Sequence, residues 1–429
     1  MTSYETALAR LSSFGRFGIR PGLKRINLLL KLMGNPERNF KTVHVGGTNG
    51  KGSTAEMIGS ALTGAGFKTG SYFSPHIDDF RERIRINGKR IGKDDAARLF
   101  DEVYSLARSQ KKIFSFFEIV TAMALRHFSD ERVDYAVLEV GMGGRWDATN
   151  ACDSKVSVIT NVDLEHTEWL GNSIRKIAFE KSGIIKDGAS VITAETKNEA
   201  LAEIEKKCKK MGAKLARVGK EIKIETLGCT DRKNKYRITT REKEYVVDLS
   251  LLGARQGLNA ACAVGALEAL GSKFDADVSA RAIERGISRA WLPCRLEVLG
   301  RNPLVIMDSA HNPSAMRYLR ESLGLFEFEK MILVVGMMKD KDIAGVMREI
   351  APSAAIVVIN KPKVERAAEP TILAHEAKKY AKNVYIVPDV KKSIELARSL
   401  VSGRDLILTT GSIYMLAEAR GKNKMRISQ

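Results

Sequence analysis

The residues best placed to do chemistry form one short stretch, Val43-His44-Val45-Gly46-Gly47-Thr48-Asn49-Gly50-Lys51-Gly52-Ser53-Thr54. An apolar run over 42–45 reads as a buried strand, and Ala55-Glu56-Met57-Ile58 starts a helix after the glycine-rich turn. Strand, turn and helix together make a phosphate cradle: glycines let backbone N–H groups approach the oxygens, and the helix N-terminus adds favourable partial charge. In this reading Thr48, Asn49, Gly50 and Gly52 line an ATP site, Lys51 reaches the outer phosphates, and the hydroxyl of Ser53 or Thr54 holds magnesium. The spacing departs from the usual G-x-x-x-x-G-K-[ST], because Val45 stands where the first glycine falls and Gly52 separates Lys51 from Ser53. A glycine turn without a ligand is the alternative, and the lysine, the two hydroxyls and the strand–helix context weigh against it.

The elements that must position this loop alternate. Strands over 42–45, 68–73, 135–140 and 156–162, with helices near 54–65, 94–109, 116–128 and 173–182, predict a mostly parallel sheet covered on both faces. Ligands of such sheets sit at the carboxyl ends of strands. There the second strand delivers Ser74-Pro75-His76, the third Glu139 and Gly141-Met142-Gly143-Gly144-Arg145-Trp146-Asp147-Ala148-Thr149-Asn150, and the fourth Asp163-Leu164-Glu165-His166-Thr167. A glutamate closing an apolar strand is costly unless a cation compensates it, so Glu139 and Ser74 fit a hard cation beside the loop. A lone histidine such as His166 is more often structural, and Lys181 on its helix reads by itself as solvated.

Residues 1–40 read as helical, with a Gly/Pro break at 18–22 and a stop at Gly34-Asn35-Pro36. Short alternating strands over 222–226, 236–240 and 244–249 predict an antiparallel patch, followed by a helix over 257–270. A second α/β unit starts near 298, with strands over 304–307, 331–335, 355–359, 384–386 and 406–409 and no phosphate loop of its own. Two such units suggest two substrates meeting across a cleft.

Length and composition bound the class. A chain of 429 residues, 44% apolar and 28% charged, suits two or three globular domains. No apolar run is long enough to span a membrane. The N-terminal stretch is rich in arginine, but it contains Glu5 and no apolar core, so ordinary structure is favoured over a transit peptide. Five widely spaced cysteines without C-x-x-C point to reduced thiols in the cytoplasm. The net charge of +19 could attract nucleic acid, yet acids interleave the basic residues and no aromatic-interleaved basic tract occurs.

GTNGKGS, with S-P-H, L-E-V-G-x-G-G-R-x-D-A-T-N, D-x-x-H-T-x-x-L-G and E-K-x-G-I, resembles the folylpolyglutamate synthase/dihydrofolate synthase family, within the Mur ligase superfamily of ATP-dependent amide ligases. The resemblance implies a P-loop Mur-ligase-like ATPase domain over 1–297, with a mostly parallel sheet and a small antiparallel patch, and a C-terminal Rossmann-like α/β domain over 298–429 that carries the glutamate ligase function. It implies magnesium at Ser74, Glu139 and His166, beside the loop hydroxyl of Ser53, and a carbamylated, catalytic Lys181 holding a second ion. Ser115-Phe116-Phe117-Glu118 resembles a pterin-contacting T-x-F-E, and Trp146, Asp147 and Ala148 align with further pterin contacts. Without the resemblance Phe116 and Phe117 read as core. Asn259, Arg295 and Asp308 align with ATP contacts. His311 would position glutamate or the transferring phosphoryl group, and Ser412 would bind the amino acid. Asn312 and Pro313 read as the N-cap and first residue of a helix.

The expected activity is therefore carboxylate activation by ATP, then attack by L-glutamate on an acyl phosphate, with domain closure bringing Arg295, Asp308 and His311 onto the nucleotide. Dihydropteroate and a reduced folate are both plausible acceptors. The chain is expected to be a cytoplasmic monomer without membrane or nucleic-acid partners. The rivals are a ligase for another pterin or a cell-wall carboxylate, a nucleic-acid-associated P-loop ATPase, and a nucleotide-binding scaffold without turnover.

Overall fold

The structure is a computed structural model that describes residues 2–14, 21–110, 112–274 and 278–421. Positions 18–20 of the expected Gly/Pro break lie outside the described residues. The described chain falls into two compact units, one made of 1–226, 236–248 and 257–290, the other of 227–235, 249–256 and 291–429.

In the first unit the strands are β1 (Lys41–Gly46), β2 (Thr69–Tyr72), β3 (Ile84–Ile86), β4 (Lys89–Arg90), β5 (Tyr135–Glu139), β6 (Val156–Ile159), β7 (Ser190–Thr193) and β8 (Lys214–Arg217). Their spatial order is β4-β3-β2-β5-β1-β6-β7-β8. The pairs from β2 through β8 are parallel, and β3 and β4 add an antiparallel edge. Every residue of β5 and all but the first of β1 are buried, as strands covered on both faces require. The chain leaves β1 toward β2 on one side and later returns to β6 on the other, so the end of β1 is the point where strand order reverses. β7 and β8, four residues each, extend the sheet beyond the sequence expectation.

The helix Lys51–Gly64 follows β1 and is buried on most of its surface. The helix Ala280–Arg289 packs on it so closely that a Cβ on Gly286 would fall 2.2 Å from the Ala61 Cα. Buried on its sheet side and its helix side, the loop-bearing helix is held as a fixed element. The N-terminal Tyr4–Phe14 is also a helix.

β9 (Lys223–Cys229), β10 (Asn234–Thr239) and β11 (Glu244–Leu249) form a separate three-stranded sheet in sequence order. Its turns are closed by the Thr230 N–H on the Lys233 carbonyl and the Thr240 N–H on the Lys243 carbonyl, which makes it an antiparallel meander. The second unit holds β12 (Glu297–Arg301), β13 (Leu304–Met307), β14 (Met331–Val335), β15 (Ile356–Ile359), β16 (Asn383–Ile386) and β17 (Leu406–Thr410), ordered β12-β13-β17-β14-β15-β16. Only the β12–β13 pair is antiparallel. β12 ties its own segment to β13, and the second unit takes in the chain from Trp291 onward.

Among the described residues no helix is long and apolar enough to cross a membrane. Among the described residues no cysteine is in a disulfide, and Cys229 is the exposed one of the five.

His44, on β1, is fully buried, and its Nε2 lies 2.8 Å from the Thr149 hydroxyl. That hydroxyl donates to Asp147 at 2.5 Å, so its oxygen accepts from the imidazole, which carries its hydrogen on Nε2. Burial pushes the His44 pKa from 6.5 down to about 3, and Lys186 adds to the effect. A histidine depressed in the folded state contributes stability above its unfolded pKa, and that stability is lost as pH falls through the window below it. The melting temperature should therefore drop as pH is lowered from 6.5 toward 4, with His44 costing up to about 1.4 kcal/mol per pH unit. His44→Gln should flatten that slope in calorimetric scans; an unchanged slope would remove His44 as a cause.

Candidate active site

The loop after β1 is built for close approach. Gly47 has φ +133° and Gly50 φ +85°, conformations that favour glycine. A Cβ on Gly47 would lie 1.9 Å from the Thr160 hydroxyl, and one on Gly50 would lie 2.3 Å from Asn259 Oδ1. The first helical bond runs from the Thr54 N–H to the Gly50 carbonyl, so the N–H groups of Lys51, Gly52 and Ser53 stand at the open end of the helix. These donors suit phosphate oxygens. Ser53 and Thr54 are buried, and among the described residues the Thr54 hydroxyl has no hydrogen-bond partner.

The chain after β6 braces the loop. The Thr48 N–H donates to the Asn161 carbonyl at 2.8 Å, and the Asn49 N–H to Asn161 Oδ1 at 2.9 Å. Thr160 donates to the Asn49 carbonyl at 2.7 Å, and the Asp163 N–H donates to the Thr48 hydroxyl at 2.9 Å. Sequence reasoning gave this segment one role, at His166. The bracing residues Thr160 and Asn161 carried no signal beyond their place at a strand end.

Lys51 donates to the Thr48 carbonyl at 3.0 Å, folded back over its own loop. Lys181 is buried, not solvated: its ammonium donates to the Gly47 carbonyl at 2.8 Å and to Glu165 at 2.7 Å. Burial pushes the Lys181 pKa down, and Glu165 opposes it. Burial would raise Glu165, but the charges of Lys181, Lys51 and His166 outweigh it and hold the carboxyl at about 2. Glu165 is thus a fixed anion between cations at the loop, a partner that the sequence reading missed. His166 itself takes a left-handed φ of 47° and precedes a one-turn helix.

The Ser74 N–H donates to Glu139 at 3.0 Å, which brings two of the expected magnesium ligands together at the ends of β2 and β5. Glu139 is buried, and its carboxylate oxygens are hard donors of the kind magnesium takes. Among the described residues no three His, Cys, Asp or Glu side chains converge on a metal position.

Several expected pterin residues have structural partners. Ser115 and Glu118 form a capping box on the helix Phe116–Asp130, and Arg25 pairs with Glu118 at 2.9 Å. S-x-x-E is the sequence signature of that box, so this role was legible. Asp147 accepts from the N–H groups of Met142 and Thr149 and from the Thr149 hydroxyl, while burial raises its pKa. Phe117 packs under Gly141, Ala148 is buried, and Trp146 is exposed beneath the Arg145 guanidinium.

In the second unit Asp308 accepts the N–H groups of Leu296 and Ala310, both at 2.8 Å. Cys294 and Leu296 take left-handed φ values of 54° and 46°, so Arg295 sits on a tightly wound turn. His311 Nδ1 lies 2.9 Å from the Ser309 carbonyl; it donates there, which puts the lone pair of the neutral ring on Nε2. Asn312 caps the helix Pro313–Leu323, as expected, and the Ser412 hydroxyl caps Ile413–Arg420.

A parallel sheet with a glycine phosphate loop at its switch point, followed by a second α/β unit, is the architecture of a Mur ligase. The Mur ligase middle domain model matches residues 45–267, and the model described as Mur ligase, glutamate ligase domain, matches 294–413. A Bacillus subtilis dihydrofolate synthase/folylpolyglutamate synthase is 32% identical over 99% of this chain and 100% of its own length. The chain belongs to the folylpolyglutamate synthase/dihydrofolate synthase family. A probable bifunctional folylpolyglutamate synthase/dihydropteroate synthase of Haloferax volcanii is 36% identical over 97% of this chain and 50% of its own length, so the chain spans about half of that relative. The crystal structure of the Yersinia pestis bifunctional folylpolyglutamate synthase/dihydrofolate synthase, complexed with AMPPNP and Mn ion, is 29% identical, covers 98% of each chain and superposes with a TM-score of 0.88.

Alanine at position 50 should lower ATP affinity by about tenfold, or ~1.4 kcal/mol. The Asn259 side chain can rotate away from the added methyl, but φ +85° remains strained. Calorimetric titration with a non-hydrolysable ATP analogue measures this, and wild-type affinity would detach Gly50 from the nucleotide.

Proposed function

We propose that this chain is an ATP-dependent ligase that joins L-glutamate to the carboxylate of a pteroate or folate. The observation that carries the reading is the Gly47–Gly50 loop, with open N–H donors beside two lysines, in a chain of this family. The loop amides and Lys51 hold the β- and γ-phosphates of ATP, with Asn259, Arg295 and Asp308 as further nucleotide contacts. A substrate carboxylate oxygen attacks the γ-phosphorus and ADP leaves; the glutamate amine attacks the acyl carbon and phosphate leaves. His311, its Nδ1 tied to the Ser309 carbonyl, positions glutamate or the transferring phosphoryl group, and Ser412 contacts the amino acid. Ser115, Phe116, Phe117, Glu118, Trp146, Asp147 and Ala148 form the pterin side, where Ser115, Glu118 and Asp147 shape the wall through the backbone they hold. Magnesium at Ser53, Ser74, Glu139 and His166, and a second ion at a carbamylated Lys181, would neutralise the charge on the phosphate oxygens. Cysteines outside any disulfide suit a reducing cytoplasm, where we take the chain to act as a monomer.

Glutamate-dependent ADP release, with product masses, tests this when dihydropteroate and tetrahydrofolate are compared in Mg²⁺ buffer. Turnover with dihydropteroate makes the chain a dihydrofolate synthase, with tetrahydrofolate a polyglutamate-adding enzyme, and with both a bifunctional ligase. ATP hydrolysis that needs nucleic acid and ignores glutamate would replace the reading.

A further inference from the structure

Arg83 lies on no motif that the sequence reading used, yet it sits among the residues of the acceptor side. It is 8% exposed. Its carbonyl accepts the Phe73 N–H at 2.9 Å, which fixes it beside Ser74, whose own N–H is bound to Glu139. Its Nε donates to His76 Nδ1 at 2.8 Å, and its guanidinium lies over the Phe116 ring, 5.3 Å from the centroid. Its charge also reaches the buried Tyr72 phenol, on which Asp147 and Glu139 act with the opposite sign. The strap that carries it is rigid: the Glu82 carboxylate accepts the N–H groups of Ile77, Asp78 and Asp79, and Asp79 caps the short helix Phe80–Arg83.

A guanidinium withdrawn from water, oriented by an imidazole and an aromatic face, is a preorganised receptor for a planar anion. In the acceptor reading above, one such anion comes to this corner, the acceptor carboxylate, beside the Ser74–Glu139 pair with its ring system toward Phe116. We propose that Arg83 is a specificity-determining residue that binds the carboxylate of the pteroate or folate acceptor before its activation. His76 and Phe116 fix the direction of the guanidinium. This rests on the acceptor reading above and names the group that selects for an acid over a neutral pterin.

The test compares dihydropteroate with the same ring system lacking its carboxylate, measuring Kd by fluorescence titration for wild type, Arg83→Gln and Arg83→Lys. Wild type should favour the acid, and Arg83→Gln should weaken the acid about 10- to 100-fold, leaving the decarboxylated analogue and ATP unchanged. Arg83→Lys should recover part of the loss. Equal weakening of acid and analogue, or weakening of ATP, would make Arg83 a structural prop and overturn the proposal. Selective loss for the acid together with an unshifted melting temperature supports it. If wild type binds neither pterin while it hydrolyses ATP, the acceptor reading itself fails and the proposal with it.

Discussion

Lys51→Ala is expected to reduce ADP release by about 10³-fold while the fold is retained. The argument starts from where the side chain rests: its ammonium is 3.0 Å from the Thr48 carbonyl, at the concave side of the loop, and half-buried. A carbonyl is a weak partner for an ammonium, and a phosphate oxygen is a better one, so the cation is stored where it can transfer to the γ-phosphoryl group. That group gains its charge separation in the transition state, so the loss should fall on kcat more than on KM for ATP. Lys51→Arg should recover little, because a planar fork does not fit a position shaped for a compact ammonium. The melting temperature should hardly move, since Lys51 makes one hydrogen bond to its own loop. Single-turnover ADP release against ATP concentration separates the two constants; near-normal kcat would remove Lys51 from phosphoryl transfer.

How much of this was readable beforehand depends on the range of the interaction. The loop, its strand and its helix were legible because glycine, lysine and hydroxyl at fixed spacing act over a dozen consecutive residues. The element pattern of both units was legible for the same reason, although β7, β8 and β12 were not read. Asn259 beside Gly50 was reached only through the family resemblance, since more than two hundred residues separate them. Thr160, Asn161 and Glu165 stand in the run at the end of β6, but their roles depend on what lies across the sheet edge, and nothing local marks them. Ser115 and Glu118 show a second kind of signal: their spacing has a local cause in the capping box, beside the substrate contact that the resemblance implies.

Lys181→Ala should be the most damaging change for both stability and rate. The ammonium is 1% exposed and bridges the Gly47 carbonyl to Glu165, whose side chain is 7% exposed. Removing it leaves a buried carboxylate without its nearest cation, at a cost of about 3–5 kcal/mol. The pH dependence follows from the sign of the shift. With Lys181 present, Glu165 titrates at about 2 in the folded state against an ordinary 4.5, so its contribution is present above pH 4.5 and lost as pH falls toward 2. Without Lys181 the carboxyl is raised by burial, and stability should instead improve as pH falls toward 5. Lys181→Met combined with Glu165→Gln should restore much of the melting temperature, because neither partner is then left charged, yet it should not restore turnover. The same variant set separates two accounts of the lost rate. If Lys181 works as an ammonium that anchors Gly47, added formate or acetate will not help Lys181→Ala. If it works as a carbamate that holds a second metal ion, a short carboxylate can occupy the vacated space and recover part of the activity in Mg²⁺, and the wild-type protein will carry an added CO₂ mass under bicarbonate. Full activity in unrescued Lys181→Ala would discard both.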